Sequence, residues 1–369
     1  MRVAVIGGGI SGRALASLLR RDTSAKVRVF ERDAGPPRDR GLGIWPRARR
    51  ILESLGASPA AAARIPAAAY RSRDGAWLAK SSAGVAADGR VLSTTLRALA
   101  AALDVPVEHG TALVSLDAQA GRCTLRRGDG APFDAEFDLV VGADGPRSLV
   151  RRTIAGGAVH GADDGVWRCV SGFADLRVDE PFETLGRGRR FACVPLAGDA
   201  CYWFATFRRG DAGGSVGEDL VRLYPRAEWH EPVATIAERA AASALLVEDI
   251  FAGAPVWSAG RAVCVGDANC ALPPNLAQGA SAGIEGAAAL AAALAAEQDV
   301  GAALKRYAAV HSPRVERCAR VTAFTEIVAA PESDAVERLR NLARFVPRPL
   351  AAAAFDVSLC YSLGWTDAF

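Results

Sequence analysis

The first 33 residues combine a short apolar run, a helical pattern and a second apolar run. The segment RVAVIGGG, residues 2–9, has the β-branched character of a strand and ends in glycines. Apolar residues then recur at helical spacing through residues 14–19, and KVRVFERD at residues 26–33 has the composition of a second strand. This order predicts a β-α-β unit, with its strands parallel.

Two more helices are predicted downstream. One begins at Pro46, which suits a first helical position, and ends at Gly56. The other has its apolar residues on one face between residues 96 and 103, with Ser93 or Thr94 as the N-terminal cap.

Strand patterns dominate the middle of the chain and helical patterns its end. Short strands broken by turn sequences predict an antiparallel meander over residues 111–137. FDLVVGADG, at residues 137–145, has the pattern of a buried strand, and residues 165–210 and 255–265 are rich in strand formers. Helical patterns dominate after residue 279. The chain is therefore predicted to have an α/β fold.

The first glycines carry a specific spacing, Gly7-x-Gly9-x-x-Gly12, between the predicted strand and helix. Glycines here allow a tight turn, close approach of a pyrophosphate, and close packing of the helix. Glu31 lies 31 − 12 = 19 residues after the last glycine, near the spacing expected for an acid that binds ribose. The motif predicts an adenine dinucleotide and leaves NAD and FAD open. The alternative is a glycine-rich turn beside a solvated glutamate.

Composition narrows the class of protein. The chain has 369 residues, enough for two domains, and 50% of them are hydrophobic against 23% charged, which excludes wholesale disorder. The net charge is only +3 and the chain has no dense block of basic residues, so we expect no binding of nucleic acid. The eight cysteines include no CxxC pair, so we expect no metal site, and we expect reduced thiols in the cytoplasm.

Neither apolar segment that could suggest a membrane is convincing. Three glycines interrupt the N-terminal apolar run, which is therefore expected to be mature structure rather than a signal peptide. The alanine-rich residues 286–296 are too few to span a bilayer. We expect a soluble protein without stable membrane insertion.

Two later stretches combine acids with small residues. DLVVGADGPRSLVRR holds Asp144, and VGDANCALPPNLAQGASAGIEG holds Asp267 at the end of a strand. The carboxylate of Asp267 could accept hydrogen bonds from a polyol. The small residues that follow would start a helix whose free amides face an electron-rich ring edge. Taken singly, each stretch could equally be a structural turn.

Taken in order, these stretches and GLGIWPRARRILESLG resemble the class A flavoprotein monooxygenases, the para-hydroxybenzoate hydroxylase-like family. The resemblance covers most of the chain, through YAAVHSPRVERCARV. It implies a Rossmann-like FAD-binding domain interleaved with a β-sheet substrate domain and followed by C-terminal helices. The FAD-binding domain would comprise residues 1–70, 91–160 and 259–300, the substrate domain residues 71–90 and 161–258, and the helical segment residues 301–369. Residues 348–365 of that segment would close one side of the pocket.

The resemblance also assigns roles to individual residues. The first glycines would hold the FAD pyrophosphate, Glu31 the ribose and Asp267 the ribityl chain. Asp144 would serve both FAD and the nicotinamide nucleotide, with Arg147 and Arg151 nearby. The cofactor-binding candidates are Gly7, Gly9, Ile10, Ser11, Gly12, Glu31, Arg32, Arg97, Asp144, Gly145, Asp267, Pro274, Gln278, Gly279 and Ala280. Arg168 would orient an anionic or carbonyl-bearing substrate, and Pro274 would line the flavin ring.

Several positions depart from the family pattern. Cys270 replaces a customary histidine, Ala277 replaces a glycine, and Gly286 replaces an acid. Ser93 replaces an arginine, with Arg97 one helical turn further on. Cys270 is interpreted as a small filler beneath the ring, the alternative being a redox or flavin-linked thiol.

The resemblance implies an FAD-dependent monooxygenase that uses NADPH or NADH and O₂ to hydroxylate or epoxidise a small, aromatic substrate. Aromatic residues of the strand-rich region could form a wall for a flat substrate; they are Trp167, Tyr202, Trp203 and Phe204. Two alternatives stay open. One is a dehydrogenase or reductase of the same fold, and the other is a flavoprotein maturation partner that acts on another protein.

Overall fold

The structure is a computed structural model that describes residues 1–59, 62–65, 69–80, 91–156, 167–241 and 245–354. The strands are β1 Arg2–Ile6, β2 Lys26–Phe30, β3 Gly41–Ile44, β4 Ala63–Ile65, β5 Ala69–Ser72, β6 Trp77–Lys80, β7 Val91–Thr95, β8 Thr111–Asp117, β9 Arg122–Arg127, β10 Phe133–Glu136, β11 Leu139–Gly142, β12 Trp167–Ala174, β13 Phe182–Leu185, β14 Arg189–Pro195, β15 Cys201–Arg208, β16 Leu246–Ile250, β17 Ser258–Ala259 and β18 Ala262–Cys264. The α-helices are α1 Ile10–Asp22, α2 Pro46–Ser54, α3 Leu96–Leu103, α4 Leu149–Ile154, α5 Val216–Leu223, α6 Val233–Ala240, α7 Gly279–Ala296, α8 Val300–Ala329 and α9 Asp334–Asn341.

A five-stranded sheet in the order β17-β18-β11-β1-β2 lies at one end of the molecule. Strands β18, β11, β1 and β2 are parallel, and Val5 of β1 pairs with Val29 on one side and Val141 on the other. Nearly every residue of β1 and β11 is buried, as expected for strands covered on both faces. The predicted β-α-β unit is confirmed.

Helices α1, α7 and α8 cover this sheet. Apolar residues of α1 and α7 share one buried core with β1 and β11. Helix α7 is long and apolar enough to cross a membrane by length and composition, but 61% of it is buried inside the protein. That burial is typical of a central packing helix.

A seven-stranded sheet in the order β16-β12-β15-β14-β13-β5-β6 forms the second layer. Its strands are antiparallel except for β13 and β5, which run parallel. One face packs on α5 and α6 through a second apolar core that includes Trp203, whose ring stacks on Phe191 at 5.6 Å. Its other face borders a cavity. The described part of the chain therefore combines α and β layers, with the C-terminal residues 300–329 and 334–341 helical as predicted.

Some predictions need correction or lie outside the described residues. Helix α3 is capped by Thr95, whose side chain accepts a hydrogen bond from the amide of Ala98, rather than by Ser93 or Thr94. The reason is that β7 runs on to Thr95, so the two preceding residues pair with β3. Residues 355–365 of the segment that was expected to close the pocket lie outside the described residues, and the domain boundaries stay a prediction.

Candidate active site

A cavity of about 1160 Å³ separates the carboxyl ends of the parallel strands from the free face of the seven-stranded sheet. It is larger than the roughly 300–1,000 Å³ of typical small-molecule pockets. Its walls include residues of both glycine-rich stretches, among them Gly7 and Ala280. Ligands of open α/β sheets bind at this edge.

The first glycine loop leaves a helix end open to the cavity. Gly7 has φ +109°, and a Cβ there would lie 2.2 Å from the carbonyl oxygen of Ala143. Gly9 caps α1 without a side-chain hydrogen bond, and a Cβ added to it would meet no atom within 4 Å. Gly12 lies behind the loop, where a Cβ would be 2.1 Å from the Gly7 oxygen. The first amides of α1 therefore face open space, as anion binding requires.

Glu31 and Arg32 also line the cavity. The Glu31 carboxylate accepts hydrogen bonds from the amides of Gly8 at 2.8 Å and Asp33 at 3.0 Å. These bonds fix the carboxylate next to the glycine loop. Arg32 is largely exposed and lies 3.8 Å from Asp33.

The two glycine-rich stretches, about 260 residues apart, meet at Ser11. A Cβ at Gly266 would lie 2.3 Å from the Ser11 hydroxyl oxygen, and one at Gly283 would lie 2.2 Å from it. Gly266 has φ +60°, which glycine adopts without strain. This contact places the carboxylate of Asp267, which is exposed to the cavity, beside the start of α1.

Asp144 and Gly145 lie between these stretches. One Asp144 oxygen accepts a hydrogen bond from the Leu149 amide at 2.8 Å, and its other oxygen is buried with no partner among the described residues. Burial raises the pKa of Asp144. Arg147 forms an exposed ion pair with Asp249 at 3.1 Å.

Arg151 has a structural position rather than one facing the cavity. Its buried guanidinium donates to the carbonyl oxygens of Asn269, Ala268 and Ala254, the last at 2.6 Å. It therefore supports the Asp267 loop from behind.

Beyond Asp267, small residues and a proline of the second glycine-rich stretch line the cavity. Pro274, Gly279 and Ala280 line it, whereas the Gln278 side chain faces the core. The Gln278 carbonyl oxygen Oε1 accepts hydrogen bonds from Arg314 at 3.1 Å and from the Cys318 thiol at 2.9 Å. No side chain caps α7, so its first amides are open.

Two predicted residues lie apart from this arrangement. Arg97 is not among the lining residues; its side chain donates to the Pro37 carbonyl oxygen at 2.9 Å. Arg168 lies at the cavity margin, but it pairs across the sheet with Phe207 and Asp249, and Phe207 belongs to the core on the opposite face. Its substrate-orienting role stays a prediction.

The aromatic wall is formed by half of the predicted residues. Tyr202 and Phe204 line the cavity, their rings 6.3 Å apart. Trp203 points into the opposite core because side chains alternate along β15, and Trp167 is not a lining residue. The sequence analysis missed Trp45, whose ring nitrogen donates to the Ala277 carbonyl oxygen at 3.2 Å.

Cys270 is buried outside the cavity lining and donates to the Gly253 carbonyl oxygen at 3.2 Å. Burial raises its pKa to about 11. A thiol that stays protonated supports the small-filler interpretation over a reactive thiolate.

The absent acid at Gly286 has a steric reason. A Cβ there would lie 2.8 Å from Nε2 of His311, so the imidazole occupies the space of a side chain. His311 is buried and stacks on Tyr307, with ring centroids 5.8 Å apart.

We expect His311 to make the fold acid-sensitive. Burial lowers its pKa from 6.5 to about 4, with Arg314 and Arg47 acting in the same direction and Glu285 opposing them. As the pH falls, His311 therefore binds its proton in the unfolded chain before it does so in the folded protein. The folded protein loses stability from this group between pH 6.5 and 4. The free energy of unfolding should drop by about 2 kcal/mol between pH 7 and pH 5 through this group.

Urea unfolding at the two pH values, compared between wild type and His311→Gln, measures this contribution. The control is His109→Gln, which changes an exposed histidine. An unchanged pH dependence in His311→Gln would contradict the assignment.

Comparisons with known proteins agree with this geometry. A family model described as "FAD binding domain" matches residues 1–325. Aurachin C monooxygenase/isomerase of Stigmatella aurantiaca is 32% identical over 336 residues, 86% of each chain, and a 3-amino-4-hydroxybenzoate 2-monooxygenase of Streptomyces platensis is 32% identical over 362 residues, again 86% of each. The crystal structure of HpxO from Klebsiella pneumoniae with FAD and uric acid has a TM-score of 0.82 at 20% identity, covering 98% of this chain and 97% of that one.

Proposed function

This chain belongs to the FAD-binding-domain family of flavoprotein monooxygenases, and from that membership we propose how its cavity binds FAD and works on a substrate. It uses NADPH or NADH and O₂ to hydroxylate or epoxidise a small aromatic molecule. The meeting of the two glycine-rich stretches at Ser11 is the observation that carries this proposal, because one extended ligand can then contact both.

The residues present fit FAD. The space beside Gly9 and the open amides of α1 suit a pyrophosphate, and Glu31 is held where a ribose would follow. The exposed carboxylate of Asp267 suits the ribityl hydroxyls. Pro274 and the amides of Gly279 and Ala280 suit the ring, since the positive end of α7 stabilises negative charge there.

Bound FAD supplies the electron transfer and oxygen activation. The protein binds the substrate, orients it and limits access of water. Tyr202 and Phe204 give an apolar, aromatic surface opposite Pro274 and Ala280 for a flat molecule. Arg147 and Arg32 at the cavity provide exposed positive charge for a nicotinamide nucleotide.

We place this activity in the cytoplasm. Among the described residues seven cysteines are free thiols, and none of them forms a disulfide.

The decisive experiment follows oxygen. Purified protein loaded with FAD is given NADPH or NADH, a panel of aromatic compounds and ¹⁸O₂. Substrate-stimulated oxidation of the nicotinamide nucleotide with one labelled oxygen atom in the product is expected. Product without labelled oxygen would instead indicate a dehydrogenase, and stimulation by a protein alone would indicate a maturation partner.

Asp267→Ala tests the placement of FAD. The variant loses the carboxylate that binds the ribityl chain, so its FAD dissociation constant should rise by about tenfold or more, as expected for loss of a hydrogen bond to a charged group. Folding should be retained, because the side chain is exposed to the cavity. Isothermal titration with FAD and far-UV circular dichroism measure the two effects, and unchanged affinity would contradict the placement.

A further inference from the structure

The free face of the seven-stranded sheet carries one row of side chains across the cavity. Tyr70 pairs with Glu183, Glu183 with Ala192, and Ala192 with Phe204, on four neighbouring strands. All four residues line the cavity. Because paired residues of a sheet point to the same face, an acidic group lies between two aromatic rings.

Ala192 is the smallest member of this row, and it is buried. It carries a single methyl group and lies between the carboxylate and the Phe204 ring. Three strand spacings separate Tyr70 from Phe204, a span of about 14 Å. A planar ring system on the cavity side of this row, in contact with Phe204, would therefore place one edge near Glu183.

The Glu183 carboxylate is held rigidly. Its Oε1 accepts a hydrogen bond from Arg190 Nη1 at 2.8 Å, and Arg190 is completely buried. Oε2 accepts no hydrogen bond among the described residues, and the side chain keeps 12% of its surface exposed. One oxygen is thus fixed, and the other is available to a molecule in the cavity.

The free oxygen of Glu183 offers a hydrogen-bond acceptor, which a donor on a ligand would satisfy and an anion would not. Burial raises the pKa of Glu183, Glu326 of α8 adds to that rise, and Arg190 opposes it. Arg40, which also lines the cavity, is already paired with Glu248 at 2.9 Å. A ring carboxylate placed beside Glu183 would bring a second carboxyl group against the first, and Arg40 and Arg190 are each already paired with a glutamate.

On the basis of the proposed function, we propose that Glu183 determines substrate specificity. It selects aromatic substrates that carry an N–H or O–H donor on the ring edge and rejects those that place a carboxylate there. The pair Glu183–Arg190 is then a built recognition site rather than a structural ion pair alone.

Three ligands with one ring system test the proposal in the FAD-loaded enzyme. They are 4(1H)-quinolone, which has a ring N–H, 4-methoxyquinoline, which lacks the donor, and quinoline-4-carboxylate. Each is titrated while the visible absorbance of the bound flavin is recorded. The wild type should bind 4(1H)-quinolone at least about tenfold more tightly than either other ligand, since a hydrogen bond to a charged acceptor distinguishes it.

Variants show whether Glu183 causes this preference. In Glu183→Gln, 4(1H)-quinolone should bind more weakly and quinoline-4-carboxylate more tightly. The ratio of the quinolone affinity to the carboxylate affinity should therefore fall about tenfold. If Glu183→Gln does not fold, Glu183→Asp is tested instead. It keeps the charge beside Arg190, so it should still bind quinoline-4-carboxylate weakly. The control is Glu180→Gln, which removes an exposed ion pair with Lys80 near the same strand.

The outcomes separate this inference from the proposed function. Equal binding of the three ligands, no binding of any of them, or an unchanged preference in the Glu183 variants would overturn the inference. Retention of FAD and oxidation of NAD(P)H are measured in the same preparations. Their loss in the wild type would overturn the proposed function, and the inference with it.

Discussion

Gly7→Ala is expected to destabilise the FAD-binding sheet strongly. Gly7 has φ +109°, and the new Cβ would lie 2.2 Å from the Ala143 carbonyl oxygen and 2.8 Å from the Asp144 amide nitrogen. Both contacts are to backbone of the loop that directly follows β11, and this loop cannot move far without disturbing the end of that strand. The cost should be at least about 3 kcal/mol, the sum of backbone strain and overpacking. Urea unfolding of the apoprotein measures it.

Gly9→Ala is the matched comparison, two residues away in the same loop. A Cβ there meets no atom within 4 Å and φ is −72°, so the apoprotein should be as stable as wild type. FAD binding should still weaken by about tenfold or more, because the methyl group would occupy the space proposed for the pyrophosphate. Normal FAD affinity in Gly9→Ala, or normal stability in Gly7→Ala, would contradict this account of the loop.

The role of these glycines could be predicted from the sequence because the constraints on them are local. The turn after a strand, the helix start and the acid 19 residues later all lie within one β-α-β unit. The sequence also indicated that the second glycine-rich stretch binds the same cofactor, because Asp267 ends a strand and small residues begin a helix. Both stretches depend on backbone geometry, and glycine marks such geometry in a sequence.

Contacts between distant side chains could not be predicted in the same way. Nothing in the spacing of Gln278 and Arg314 shows that one accepts a hydrogen bond from the other. Gln278 was therefore expected among the cofactor-binding residues, whereas its side chain lies in the core. Likewise Arg168 and Glu183 both lie on strands of one sheet, and the strand order and register decide which of them lies on the cavity face. The N-terminal cap of α3 is Thr95 rather than Ser93 or Thr94, because β7 extends further than the sequence pattern indicated.

Arg314→Met is expected to destabilise the protein by about 3–5 kcal/mol, the usual cost of breaking a buried ion pair on one side. Arg314 donates to Glu285 at 2.8 Å and to Gln278 at 3.1 Å, and both Arg314 and Glu285 are less than one-tenth exposed. Its loss leaves the Glu285 carboxylate buried without its cation. Urea unfolding of the apoprotein at neutral pH measures this change.

The same variant also tests the link from α8 to the proposed flavin site. Gln278 immediately precedes α7, so release of its side chain should loosen the helix start that carries Gly279 and weaken FAD binding as well. Arg306→Met removes an exposed ion pair with Glu297 from the same helix and should cost less than about 1 kcal/mol. If Arg314→Met costs no more than Arg306→Met, the pair does not stabilise the fold. If it destabilises the apoprotein but leaves FAD affinity unchanged, α8 supports the core without positioning the start of α7.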